Sequence, residues 1–434
     1  MTKALLTVLL LLAVLASATA RDLSLTEAIE LALRRDPQVQ RSELSLAAAQ
    51  RTLDQRWGLF LPAATVQAGT SYRHPLFTEA RPGTDPWSSS ASVGLNLQLS
   101  AAVGPQLAAL EVQRQIASLT RDTRLLALAA QVRRRYYGLV NTRQQLQLLQ
   151  EDIRLAREQA DQTRVRFESG LVSQRVLLQA QLNAERAHLA LRQSSAEYQL
   201  QVTRFLSIIG LEEPATELTL ADDFGLPVRR IDPDQLSERP ATALDLASEE
   251  LALRNAELSL RQEILATRSP TLGLSSSWSS SFAGESWSDS LNLSVSVSMP
   301  LDGFIAASGR GQRVDRAELQ RQQAQITRDD QLEQHRLTVR DLVAQINQAV
   351  EQLSIADMQI DLAEQSLELT RTGFDRGTVE RLELERTQRD LLDARISRAA
   401  GEYRYALAVT DLAQHLGAES PEALLRELRP LEER

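Results

Sequence analysis

Apolar and polar side chains alternate strictly through the run SLNLSVSVSMP, with Leu291, Leu293, Val295, Val297 and Met299 on one side of the chain. A period of two predicts a strand whose faces meet different media. Residues 63–72 and 88–100 carry the same signature and form one candidate hairpin, in which Val93, Leu95, Leu97 and Leu99 share a face. Residues 271–282 and 287–299 form a second, joined by the short turn AGES. Pro62 and Pro270 stand immediately before these hairpins, ending a helical stretch and opening an extended one. Elsewhere the period is helical, and no proline interrupts residues 106–213 or 301–420. A helix from Gln106 to Glu168 would be roughly 95 Å long at about 1.5 Å per residue, too long for a globular core.

The chain is also a duplication. RVRFESGLV at 164–172 matches RTGFDRGTV at 371–379, so that Arg164, Phe167 and Gly170 correspond to Arg371, Phe374 and Gly377, 207 positions on. Tyr198 and Tyr405, then Gly210 and Gly417, keep that offset, and the heptad series from Leu146 to Phe167 maps without slip onto Leu353 to Phe374. Each copy reads as a helix, a β-hairpin and a long helical hairpin with glycine at its tip. Ser24 and Glu27 make a capping box for the first helix, and the 3.5-residue spacing predicts left-handed coiled-coil packing. The division is residues 1–20 as a signal peptide, 21–210 as the first repeat, 211–235 as a linker, 236–417 as the second repeat and 418–434 as a C-terminal tail.

Composition narrows the function. Of 434 residues only 4% are aromatic and the formal charge is -9, which argues against nucleic acid as a partner. The run Arg133, Arg134, Arg135 then reads as a solvated helix face. Lys3, the apolar stretch from Ala4 to Ala16 and the ending Ser-Ala-Thr-Ala make a cleavable secretory signal, with Arg21 as the mature start. No other apolar run reaches the roughly 20 residues of a membrane helix, so an exported protein that crosses a membrane does so without helices. The absence of cysteine leaves no disulfide, no thiolate chemistry and no lipidation site. His74, His188, His335 and His415 are scattered without metal-ligand spacing, and the segment SSSWSSS lacks a nucleophile elbow. Neither catalysis nor a metal or cofactor is expected, and energy for any transport comes from a partner.

Nothing in the sequence offers a second sheet to cover the alternating face, which leaves lipid. Strands of this length suit a tilted membrane crossing of about 9–11 residues. Trp57, Trp87, Trp278 and Trp287 all lie in or beside the strand regions, where a membrane barrel carries its aromatic girdle. A membrane sheet has to close, because an open edge leaves backbone groups unpaired in hydrocarbon. Four strands are too few: two chains would give eight strands and a filled interior, three would give twelve and an open lumen.

The paired tips FESGLVSQRVLLQAQ and FDRGTVERLELERTQ, the prolines before each hairpin, the MPLDG at 299–303 and the duplication together resemble the TolC-type outer-membrane efflux channels. The resemblance covers essentially the mature chain. It implies a mainly α fold with a small membrane β part: a trimer whose twelve-stranded barrel in the outer membrane of a Gram-negative-type cell is continued by an α-helical barrel in the periplasm. It also implies a periplasmic adaptor (membrane fusion) protein, and through it an inner-membrane pump or ABC exporter, as partners besides outer-membrane lipid. On that basis Gly170, Leu171, Val172 and Ser173 with Gly377, Thr378 and Val379 are adaptor-contact candidates; equally, the glycines end helices and the apolar residues cap the turn. The family often has an acid six positions after each tip glycine. Here these positions are Val176 and Glu383, and a further expected acid is Arg386, so a constriction ring rests on Glu383 with Glu380. The first hairpin departs too, leaving through SAAVGPQ. The competing reading is a non-conducting exported coiled-coil protein that tethers envelope layers.

Overall fold

The computed structural model describes residues 21–72, 87–211, 218–219, 224–237, 244–283 and 286–428. The expected signal peptide, the loop of the first hairpin with His74, and the tail beyond residue 428 lie outside these residues.

The chain opens with a short strand β1 (Arg21–Asp22) and two helices, α1 (Leu25–Arg35) and α2 (Pro37–Asp54). The first hairpin follows as β2 (Ala63–Tyr72) and β3 (Trp87–Ser100), then the helical hairpin of α3 (Val103–Glu168) and α4 (Gln174–Ile208). After β4 (Leu218–Thr219), which pairs in parallel with β1, and the short α5 (Pro233–Ser237), the plan repeats. Its parts are α6 (Leu244–Arg268), β5 (Thr271–Ala283), β6 (Ser286–Ser298), α7 (Gly309–Asp375), α8 (Arg381–His415) and the closing α9 (Pro421–Glu427). Both strand pairs begin directly after Pro62 and Pro270, and α3 and α7 run unbroken for 66 and 67 residues.

Local chemistry sets the boundaries. Ser24 Oγ accepts from the Glu27 N–H at 3.2 Å, capping α1. Asp36 Oδ1 accepts from the N–H groups of Gln38 and Val39, each at 2.8 Å, and so caps the start of α2 at Pro37, while the Asp36 N–H closes α1 on the Ala32 carbonyl at 2.9 Å. The described residues divide between two compact units, one within the bounds Met1–Ser42, Arg121–Leu244 and Glu333–Arg434, the other within Glu43–Thr120 and Asp245–Leu332. Each repeat contributes to both.

The first unit holds two apolar clusters, one around Val132, Leu139 and Phe205, the other around Val339, Ile346 and Leu412. These residues are partners at the 207-residue offset, so the duplication extends to the packing. The symmetry breaks at the segment after β4. There Tyr405 Oη donates to the Pro227 carbonyl at 2.7 Å and accepts from the Arg229 N–H at 3.1 Å. Asn347 accepts from the Ile231 N–H and donates to the Ile231 carbonyl, both at 2.8 Å. The polar straps run to α7 and α8, while Phe224 at the start of the segment packs against Tyr137 of α3 at 5.6 Å; the equivalent of Asn347 in the first copy is Val140, and Tyr198 makes no such bond among the described residues.

Of the arginine run only Arg135 is exposed, as a solvated face would have it; Arg133 and Arg134 are half-buried and partnered. Arg134 pairs with Asp411 at 2.7 Å and donates to Gln414 at 2.9 Å, while Arg133 donates to the Glu419 carbonyl at 3.0 Å. Burial holds the Arg133 guanidinium below its usual basicity, Glu422 opposing, and burial pushes the neighbouring Tyr137 phenol up. These cations dock the end of α8 and the turn after it onto α3, a role that composition alone does not reveal.

Candidate membrane sheet and helical tips

The second unit carries one antiparallel sheet in the order β2-β3-β5-β6, with β3 and β5 joining the two repeats. Register settles its faces. Leu99, Leu97, Leu95 and Val93 stand opposite Leu272, Leu274, Ser276 and Trp278, which in turn oppose Val297, Val295, Leu293 and Leu291. All the strand residues expected to face lipid therefore share one surface, and Met299 follows just beyond β6. Leu291, Leu293, Val295 and Val297 are 65–76% exposed, so no layer of this chain covers them. An apolar area of that kind on a folded chain marks a lipid or protein contact.

Aromatics bound the surface. At the hairpin end, Tyr72 and Trp87 rings lie 5.0 Å apart and Phe282 and Trp287 rings 5.3 Å apart. At the other end stand Trp57 and Phe60 at 5.9 Å, and Phe304 with the Arg268 guanidinium 5.9 Å above its ring. From Trp287 to Val297 the strand rises about 34 Å, which a tilt near 40° reduces to about 25 Å, the height of the apolar band of a membrane barrel. Trp278 differs from the other tryptophans: paired with Val93 and Leu291, it sits within the apolar surface rather than at either rim. Where the chain leaves β6, Asp302 pairs with Arg310 at 2.7 Å and Arg268 donates to the Gly303 carbonyl at 3.1 Å, which fixes the MPLDG corner.

In the first unit each helical hairpin turns on a glycine with positive φ, 74° at both Gly170 and Gly377. The Leu171 N–H reaches back to the Arg166 carbonyl at 2.9 Å and the Thr378 N–H to the Gly373 carbonyl at 2.8 Å, closing the two helix ends in the same way. Leu171 is 75% exposed, and Gly170, Ser173, Gly377 and Thr378 are exposed, with Val172 and Val379 half-buried. The second tip depends on a residue that its sequence did not flag: a Cβ on Gly373 would stand 2.5 Å from Val379. Glu380 is the N-cap of α8. Glu383 and Arg386 are exposed and pair with each other at 3.6 Å.

Side-chain contacts order the helices of this unit as α4, α3, α8, α7. Thr142 on α3 donates to Gln201 on α4 at 3.0 Å, and Gln159 on α3 donates to Gln388 on α8 at 3.0 Å. Arg381 on α8 also donates to the Gln159 carbonyl at 3.1 Å, and Arg398 on α8 bonds Asp357 on α7 at 2.6 Å. A half-open groove of about 350 Å³ lies among α3, α4 and α8, lined by Asp152, Arg186, Arg389 and Asp393. Burial, then the like charge of Asp393, raises the Asp152 carboxyl, and Arg389 opposes them. The outer helices keep unpartnered apolar stripes at heptad spacing: Leu178, Leu182 and Leu189 on α4, and Ile355, Met358, Leu362 and Leu369 on α7. Of the histidines, His335 and His415 stack at 4.6 Å although 80 positions separate them in sequence; among the described residues no three metal-ligating side chains converge. No described helix is long and apolar enough to cross a membrane.

A duplicated helical chain with glycine-tipped hairpins and one uncovered membrane-type sheet defines the class of TolC-like outer-membrane channels. The chain belongs to the outer membrane efflux protein family, whose profile matches residues 28–211 and 237–418. It is 29% identical over 318 residues to Protein CyaE of Bordetella pertussis, a match that takes in 70% of this chain and 65% of that protein's length. The fold is that of the CmeC outer membrane channel of Campylobacter jejuni, with a TM-score of 0.76 at 17% identity over 93% of this chain and 88% of that one. The outer membrane protein VceC of Vibrio cholerae gives 0.75 at 16% identity, over 91% of this chain and 96% of that one. The MtrE outer membrane channel of Neisseria gonorrhoeae gives 0.71 at 18%, over 91% and 89%.

Proposed function

We propose that the protein is a homotrimeric channel-tunnel of the outer membrane, the passive exit duct of a tripartite efflux pump or type I secretion system. An inner-membrane pump or ABC exporter delivers the cargo, and a periplasmic adaptor that grips the helical tips links the two. One observation carries the reading: the chain is unfinished at both sides in both units. The sheet leaves β2 and β6 as open edges, and the helices leave apolar stripes on α4 and α7.

The two exposed sides of each unit differ from each other, so copies join head to tail, and such an interface makes a ring when its rotation closes. In hydrocarbon each unpaired backbone group costs several kcal/mol, which makes closure of the sheet obligatory. Three copies supply the twelve strands that leave a lumen, where two would fill it with side chains. The fold shared with outer-membrane channels supports the same assembly. A tethering protein has no use for an apolar sheet surface that no layer covers.

Native mass spectrometry of the detergent-extracted membrane fraction tests the proposal. A trimer that needs detergent and conducts in planar bilayers is expected. A detergent-independent soluble monomer or dimer would return the chain to the tethering class.

A further inference from the structure

We propose that this duct does not select its cargo by charge, so that sign-independent passage leaves specificity to the partner that loads it; the inference rests on the channel reading. The face of the sheet opposite the apolar one is built from serine, threonine, asparagine, glutamine, glycine and alanine. Among the described residues of the four long strands it carries no Asp, Glu, Lys, Arg or His. The one charged residue of these strands, Asp289, pairs with Ser280 and therefore stands on the apolar face, two positions from Trp287. A closed barrel made of such strands has a neutral wall, whereas channels that choose cations or anions do so with rings of charged side chains.

The hydroxyls of this wall also engage one another. Ser275 and Ser294 lie 2.7 Å apart, Ser279 and Ser290 2.8 Å, and Ser71 and Ser88 2.8 Å. Each pair spends a donor internally, so a passing group meets short side chains already partly satisfied. That surface neither attracts one sign nor holds a polar chain strongly.

Taken together, the two tips carry no excess of either sign: residues 161–176 hold three arginines against two acids, and residues 368–386 hold four arginines against five acids. Glu383 faces Arg386 at 3.6 Å, and Arg381 pairs with Glu385 at 2.9 Å. In the first tip Arg164, Arg166 and Arg175 stand among Asp161 and Glu168, and Val176 occupies the place of the acid. Glu380 and Glu383, the acids that the family resemblance points to, are therefore offset by the arginines of the two tips taken together. A cargo with charges of both signs, such as an unfolded polypeptide, fits this duct better than a metal cation.

Reversal potentials of wild-type trimers in a KCl gradient give the permeability ratio of potassium to chloride. A ratio within about twofold of unity is expected, and a ratio above about tenfold in either direction overturns the inference. Trimers that conduct nothing refute the channel reading instead. Because the chain has no cysteine, Ser294→Cys adds a single thiol that an anionic methanethiosulfonate modifies after assembly. Modification is expected to raise the ratio several-fold; no change in a fully modified channel means that this face does not line the path, and the inference falls. Arg386→Gln, which frees Glu383, is expected to move the ratio the same way at the tips, and indifference there refutes the matched-charge argument.

Discussion

Tyr405→Phe deletes one oxygen, and the duplication supplies its control. That hydroxyl both donates to the Pro227 carbonyl and accepts from the Arg229 N–H, at 2.7 and 3.1 Å, on a side chain only 2% exposed. A buried polar group left without a partner costs about 1–3 kcal/mol. Pro227 and Arg229 are themselves exposed, so water replaces part of the loss and the expected total is near 2 kcal/mol. Tyr198, at the matching place of the first copy, has no strap beside it, and Tyr198→Phe should change stability by no more than about 0.5 kcal/mol. Unfolding of membrane assemblies is seldom reversible, so native-state hydrogen exchange is the assay. In Tyr405→Phe the Arg229 amide should exchange about 30-fold faster, the factor that corresponds to 2 kcal/mol. An Arg229 rate equal to the wild type, or equal loosening of the strap by Tyr198→Phe, would refute the claim that this hydroxyl holds the strap.

Leu293→Arg places a cation on the apolar surface at a cost of about 2–4 kcal/mol per chain and should deplete the trimer from the outer-membrane fraction. Asn292→Arg, one residue away on the neutral face, should leave trimers in place, and equal behaviour of the two variants would contradict the assigned faces. Leu171→Asp combined with Gly377→Val should abolish export while native gels still show trimers; normal export would remove the adaptor contact from the tips. The folded pKa of Asp152 is raised by burial, so this carboxyl takes up more protons folded than unfolded, and its contribution to stability declines as pH rises from the ordinary carboxylate range through the raised value. Asp152→Asn should therefore raise the melting temperature at neutral pH and lose that advantage below the ordinary carboxylate range, as differential scanning fluorimetry across pH would record.

Local and repeated signals were legible in the sequence because they do not depend on the path of the chain. Alternation through Leu291–Met299 places five side chains on one surface whatever the neighbours are. The prolines at 62 and 270 bar a helix at the same points in both copies. A glycine between two heptad runs marks a tip because left-handed backbone is costly for other residues, and an unbroken offset of 207 residues ties the copies together.

Tertiary structure alone decided which neighbour meets which surface. Heptad arithmetic marks two apolar stripes on α7, but Leu353, Ala356 and Ala363 are buried while Ile355, Met358 and Leu362 stand open. Both stripes obey the same period, so spacing cannot say which is covered. The arginines at 133 and 134 look solvated until α8 brings Asp411, Gln414 and the Glu419 carbonyl to them from more than 270 positions away. The strap on Tyr405 and Asn347, the pairing of β3 with β5, and the stacking of His335 on His415 likewise join distant parts of the chain. Periodicity reports the environment a side chain requires; the partner that meets the requirement is fixed when the chain folds.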